Sequence, residues 1–189
     1  MSAPTLRPAR CPRVIAVGLC LVGAAASSCD RAPTPVDSRE ENNCPTAHFE
    51  EPFQRVDPCS APAVALAVIE RVFTYRPSDE TDQRSAFRAA IPLMAAELVA
   101  RGENAAPVLA PITSAQWQRW RESGVVVTAT ARLAADDHPT DTDRDLARVA
   151  GVALHTADGT ESVQLTVYLR ATRPSSSARW LISALEVRT

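Results

Sequence analysis

Val125-Val126-Val127-Thr128-Ala129-Thr130-Ala131-Arg132-Leu133 is the stretch where this chain changes its period. Before it, apolar residues recur every three or four positions; from it onward they are β-branched and partly alternate with polar ones. Further strand candidates follow over residues 148–156, 163–172 and 180–187. Asp158-Gly159, between the first two of these, predicts a tight hairpin, because Gly takes the positive φ that such a turn requires. Residues 174–178 form another polar connection. Helices followed by four antiparallel strands predict an α+β domain, with the helices covering one face of a curved sheet.

The helical half is punctuated by caps and prolines. Ser60 can cap a helix with Pro62 in its first turn, and Val64, Val68, Val72 and Tyr75 then recur at helical spacing, with Leu66, Ile69 and Phe73 widening the face. Pro77 ends it. Ser78 and Asp79 restart a helix with an acidic first turn and with Phe87, Ala90 and Ile91 on its apolar side, as far as Pro92. A third helix, 93–101, stops at Gly102 as a left-handed cap. Thr113 or Ser114 caps a last helix carrying Trp117 and Trp120 on one face, and Gly124 closes it. The folded domain is thus expected over 60–189, about 130 residues and a usual single-domain size.

The beginning of the chain has a different character. Arg7, Arg10 and Arg13 precede an apolar run over 14–26 with no acidic residue among them. Thirteen residues make roughly 20 Å of helix, well short of the ~30 Å hydrocarbon core, so the run reads as a signal and not a span. It stops at Ala26-Ser27-Ser28-Cys29, which resembles the signal peptide and lipobox of a bacterial lipoprotein, with Ala26 where that pattern most often has Leu. The resemblance implies that residues 1–28 are removed and that an acylated Cys29 anchors the mature chain to the outer side of the cell membrane. The alternative is an ordinary secretory signal cleaved nearby, with Cys29 incidental.

Residues 29–59 read as the lipidated cysteine and a disordered tether. Pro33, Pro35, Pro45, Pro52 and Pro58 punctuate a polar run, Asp37-Ser38-Arg39-Glu40-Glu41-Asn42-Asn43, that has no apolar period to offset its ordering entropy. Phe49 and Phe53 are the exceptions, able to dock the end of this segment on the globular part. Cys11 and Cys20 leave with the leader, so Cys44 and Cys59 remain as an even pair in an oxidising compartment. A disulfide is the simplest outcome, two separate thiols the alternative. A metal is not expected, since His48 is the only nearby imidazole and no CxxC spacing occurs.

All 20 basic residues are Arg. Losing the leader leaves 17 of them against 22 acids, a net charge of −5. That balance excludes the basic face of a nucleic-acid binder and a polybasic membrane patch, so lipid alone would hold the protein to a bilayer. No catalytic constellation is recognisable and no cofactor is expected. Asp141, Asp143 and Asp145 alternate like the start of a calcium loop, but Leu146 stands where Gly is needed and Val152 where a bidentate Glu is needed, so a solvated acidic loop is expected. His138 reads as a surface residue and His155 as a strand-end residue facing solvent. Ser60, Ser114 and Ser123 lack the context of a nucleophile elbow.

Several segments together carry a second resemblance. Gln116-Trp117-Gln118-Arg119-Trp120 running into Gly124, the His138-Pro139-Thr140-Asp141-Thr142 loop and the closing Arg179-Trp180-Leu181-Ile182-Ser183 resemble actinobacterial extracytoplasmic proteins with a cone-shaped NTF2-like fold. That group includes accessory proteins of conjugative elements and proteins associated with Mce transport complexes. The resemblance implies a sheet curled around a pocket, with Tyr75, Trp117, Trp120, Tyr168 and Trp180 as pocket-lining candidates, although core packing is the commoner fate of such side chains. It also implies a non-enzymatic accessory or scaffold role with a protein partner in the envelope. The alternative is a carrier of a small apolar ligand in the cone. An isomerase or dehydratase stands third, needing an inward carboxylate of raised pKa, for which Glu186 is the nearest residue.

Overall fold

A computed structural model of the chain describes residues 48–135, 138–159 and 161–188, which fold into four helices followed by a four-stranded sheet. Helix α1 (Ala61–Val72) begins where expected: Ser60 Oγ accepts from Ala63 N at 3.2 Å, and Val64, Ala65, Val68, Ile69 and Val72 are buried. Helix α4 (Ser114–Ser123) has both expected caps. Thr113 accepts from Gln116 N, and Gly124 takes a left-handed conformation with φ of 66°. Trp117 and Trp120 are buried on its inner face.

Between these two helices the structure corrects the expected boundaries. The segment after Pro77 is not helical until α2 (Arg84–Ala89). Its hydrogen-bonding groups are taken by side chains: Glu80 accepts from Arg76 N, and Arg121 of α4 donates to the carbonyls of Pro77, Glu80 and Thr81. A turn whose carbonyls are held this way cannot also propagate a helix. Pro92 sits in a single 3₁₀ turn, Ile91–Leu93. Helix α3 (Ala96–Ala105) then runs straight through Gly102, which caps nothing. A Cβ there would lie 2.5 Å from Phe87 Cζ, so Gly is required by the close approach of α2 and not by the end of a helix.

The strands lie close to their expected positions: β1 (Val127–Leu133), β2 (Asp145–Thr156), β3 (Ser162–Thr172) and β4 (Leu181–Arg188). They form an antiparallel meander in the order β1-β2-β3-β4. Gly159, with φ of 72°, makes the β2–β3 turn. Inward positions along β3 are Leu165, Val167, Leu169 and Ala171, all buried, and the residues between them are exposed, as a sheet covered on one face requires. The helical half also touches both outer edges. Tyr75 bridges to Val127 of β1, and Met94 to Ile182 of β4, so neither edge is wholly open to another strand.

The packed region begins upstream of Ser60. Phe49 and Phe53 are buried in the core, Arg179 stacks over the Phe49 ring at 5.3 Å, and Trp180 N donates to Pro58 O at 3.0 Å. The last dozen residues assigned to the tether therefore belong to the domain. Cys59 is half-buried. Cys44 lies outside the described residues, as do residues 1–28 and Cys29, so that pairing and the lipid anchor stand as proposals.

The Gly102 contact sets a test whose sign is informative. Ala is the better helix former by about 0.5–1 kcal/mol, but overpacking a core costs about 1–3 kcal/mol. G102A should therefore lower stability in urea titrations, and adding F87L should recover part of the loss. A stabilised G102A would contradict the close approach.

Candidate functional site

One rung of the sheet supplies the floor of a cavity beneath α3. Register pairs Arg148 of β2 with Leu169 of β3, and Leu169 with Leu185 of β4, placing all three on the helix-facing side. Above them α3 presents Leu98, Arg101, Gly102 and Ala105, one face at spacings of three, one and three residues. Helix and rung enclose a cleft of about 620 Å³, within the ~300–1,000 Å³ range of small-molecule sites. His138 and Pro139, from the loop after β1, also line it.

Arg148 is the unusual residue of this floor, a cation at an inward position between Leu146 and Ala150. It is held by a fork of hydrogen bonds: Nη1 donates to Asp141 Oδ1 at 2.7 Å and Nη2 to Asp141 Oδ2 at 2.5 Å. Nη1 also donates to Ala147 O and lies 2.9 Å from His138 Nδ1. The same Nδ1 lies 2.8 Å from the Pro139 carbonyl, so the imidazole sits between a donor and an acceptor. The fork holds the Asp141 carboxyl below the usual carboxylate range, chiefly through the hydrogen bonds from Arg148. Asp145 is lowered in the same way by Arg170, whose guanidinium donates to both of its oxygens.

The alternating aspartates thus do not converge. Asp141 pairs with Arg148, Asp145 with Arg170, and Asp143 with Arg144 at 3.8 Å, each on a separate guanidinium. Among the described residues no cluster of His, Cys, Asp and Glu could hold a metal. His138 is exposed, as expected of a surface residue, and it meets the Arg148 guanidinium there. His155 is exposed on the outer face of β2, opposite Ser162 and Thr128.

The aromatic candidates divide. Tyr168 contributes to the cleft lining, although it stands 40% exposed and is stacked under Arg188 at 5.0 Å. Trp117 borders a separate, smaller hollow of about 200 Å³ with Gln83 and Ile112. Tyr75, Trp120 and Trp180 line neither; they are core residues, Tyr75 meeting Trp117 edge to face at 5.7 Å. Burial pushes the Tyr75 hydroxyl far up from its ordinary value. Glu186 reaches the cleft lining but is exposed and paired with Arg188 at 3.2 Å.

Of the expected lining residues only Tyr168 belongs to this cleft, and the two arginines Arg101 and Arg148 are among those not expected. Arg148 is legible in retrospect, because it shares the parity of Leu146, Ala150, Val152 and Leu154 along β2. Ending the third helix at Gly102 leaves out Gly102 and Ala105, which complete the face that Leu98 and Arg101 begin.

No protein family, no curated protein and no solved structure matches this chain significantly.

The Arg148 fork predicts an acid-sensitive loop. A carboxyl whose folded pKa is depressed contributes stability that is full above its unfolded pKa, near 3.9, and is lost as pH falls through the folded value. D141N should lower the melting temperature at pH 7, and its deficit relative to the parent should shrink below about pH 4. Equal melting temperatures at pH 7 would show that the fork contributes nothing.

Proposed function

We propose that the protein is a lipid-anchored, extracytoplasmic lipoprotein whose domain is an NTF2-like cone holding a small, largely apolar ligand. The observation that carries this reading is the cleft between α3 and the sheet, walled by Leu98, Leu169 and Leu185 and not filled by the tryptophans. A cone plugged by indoles would have left only a structural role. Here Trp117, Trp120 and Trp180 pack elsewhere, and the space beneath α3 stays open. An enzyme of this fold needs an inward carboxyl of raised pKa; the Arg148-bound Asp141 is shifted the other way.

Acylation at Cys29 would confine the domain to the membrane surface. Residues 30–47, lying between that cysteine and the packed region, can reach at most ~60 Å, so the cleft stays within one domain-length or two of the bilayer. The segment that follows is pinned on β4 by Pro58 and Phe49, and a Cys44–Cys59 disulfide would reinforce the junction.

An accessory role in an envelope assembly is the second reading, and one feature favours it. The outer face of the sheet is uncovered, and Tyr168 and Arg188 stack there, a pairing of the residue types enriched at protein interfaces.

Two results test the main reading. C29S should shift the protein from the membrane fraction to the soluble extracytoplasmic fraction or leave it unprocessed; unchanged membrane association would overturn the lipid anchor. Native mass spectrometry of the intact protein extracted in mild detergent should show a noncovalent apolar adduct, and A105W, which fills the cleft from α3, should abolish it. A protein that never carries an adduct, or an adduct that A105W leaves in place, would contradict the ligand-holding role.

A further inference from the structure

The charges around the cleft specify what kind of molecule it takes. Four ionic residues are among those lining it, Arg101, Arg148, Arg170 and Glu186, the last two from strand positions of the outward parity. Arg148 is neutralised by Asp141, Arg170 by Asp145 and Glu186 by Arg188. Arg101 alone makes no hydrogen bond or ion pair among the described residues. It is an exposed lining residue of α3, one turn from Leu98 and from Ala105, and these neighbours on the same face form the apolar wall.

Resting on the ligand-holding reading above, we propose that the occupant is a single-chain anionic amphiphile of the fatty-acid type, with its head on Arg101 and its chain between α3 and the Leu169–Leu185 floor. The surplus at the lining is one positive charge, which suits one anionic head. A guanidinium presents a planar fork that matches a carboxylate, and that contact gains strength beside an apolar wall. Arg148, the other inward cation of the lining, is already answered by Asp141, so a second charged group on the ligand would find no partner there. A neutral chain would fill the same walls but leave Arg101 unanswered, and a dianion would exceed the available charge.

The test uses the full chain in its native membranes and two photoreactive, clickable probes of equal length, a diazirine-bearing dodecanoate and its methyl ester. Crosslinked peptides are read by mass spectrometry. The acid should label peptides from α3, β3 and β4, and R101A should cut that labelling about tenfold, the scale of one lost charge-assisted hydrogen bond, while leaving ester labelling unchanged. R101K should restore part of it. If acid and ester label the cleft equally and R101A changes neither, the anionic head is wrong while the ligand-holding reading stands. If neither probe labels these peptides, or if A105W leaves labelling intact, both readings fall.

Discussion

Two-residue alternation in the long central strands is the constraint on which the rest of the structure depends. It puts Leu146, Arg148, Ala150, Val152 and Leu154 of β2 on the same side as Leu165, Val167 and Leu169 of β3. That side receives α1 and α3, while Thr166, Tyr168 and Arg170 face away. A slip of one residue would send every apolar side chain to the outer face and Arg148 with them. The Gly159 turn and 11 consecutive paired positions between β2 and β3 hold the register against that slip.

Given that register, the cleft follows from how the helices sit. α1 packs over β1, β3 and β4 and seals the sheet with aliphatic residues, whereas α3 meets mainly β4 and lines the cleft over the Arg148–Leu169–Leu185 rung. Gly102 lets α3 settle against Phe87 of α2, which fixes the height of the helix above the floor. Among the described residues, the lining holds an Arg148 paired with Asp141 and an Arg101 with no ionic partner. Apolar walls with one such charge are what a molecule with an oily body and one ionic end requires.

The sheet was legible because its signals are local. β-branched runs, the Asp158-Gly159 turn and the Thr113 and Gly124 caps each act within a few residues, and each marks a boundary within three residues of the observed one. What the sequence hid depended on distant partners. The absence of helix at Ser78 is imposed by Arg121, some forty residues away, and the role of Gly102 is set by a ring on another helix. Phe49 and Phe53 were visible as apolar residues in a polar tether, but their depth in the core depends on Arg179 and Trp180 at the far end of the chain. The site was the least legible part. Aromatic residues were the natural pocket candidates, yet most of them are the domain's core, and the cleft is built from leucines, small helix residues and arginines.

Isotope-edited NMR of the full chain with ¹³C-labelled dodecanoate tests the central claim most directly. Cross-relaxation between the alkyl chain and the methyl groups of Leu98, Leu169 and Leu185, with the carboxyl carbon near Arg101, is the predicted result. Contacts confined to the outer face around Tyr168, or no contacts at all, would contradict it.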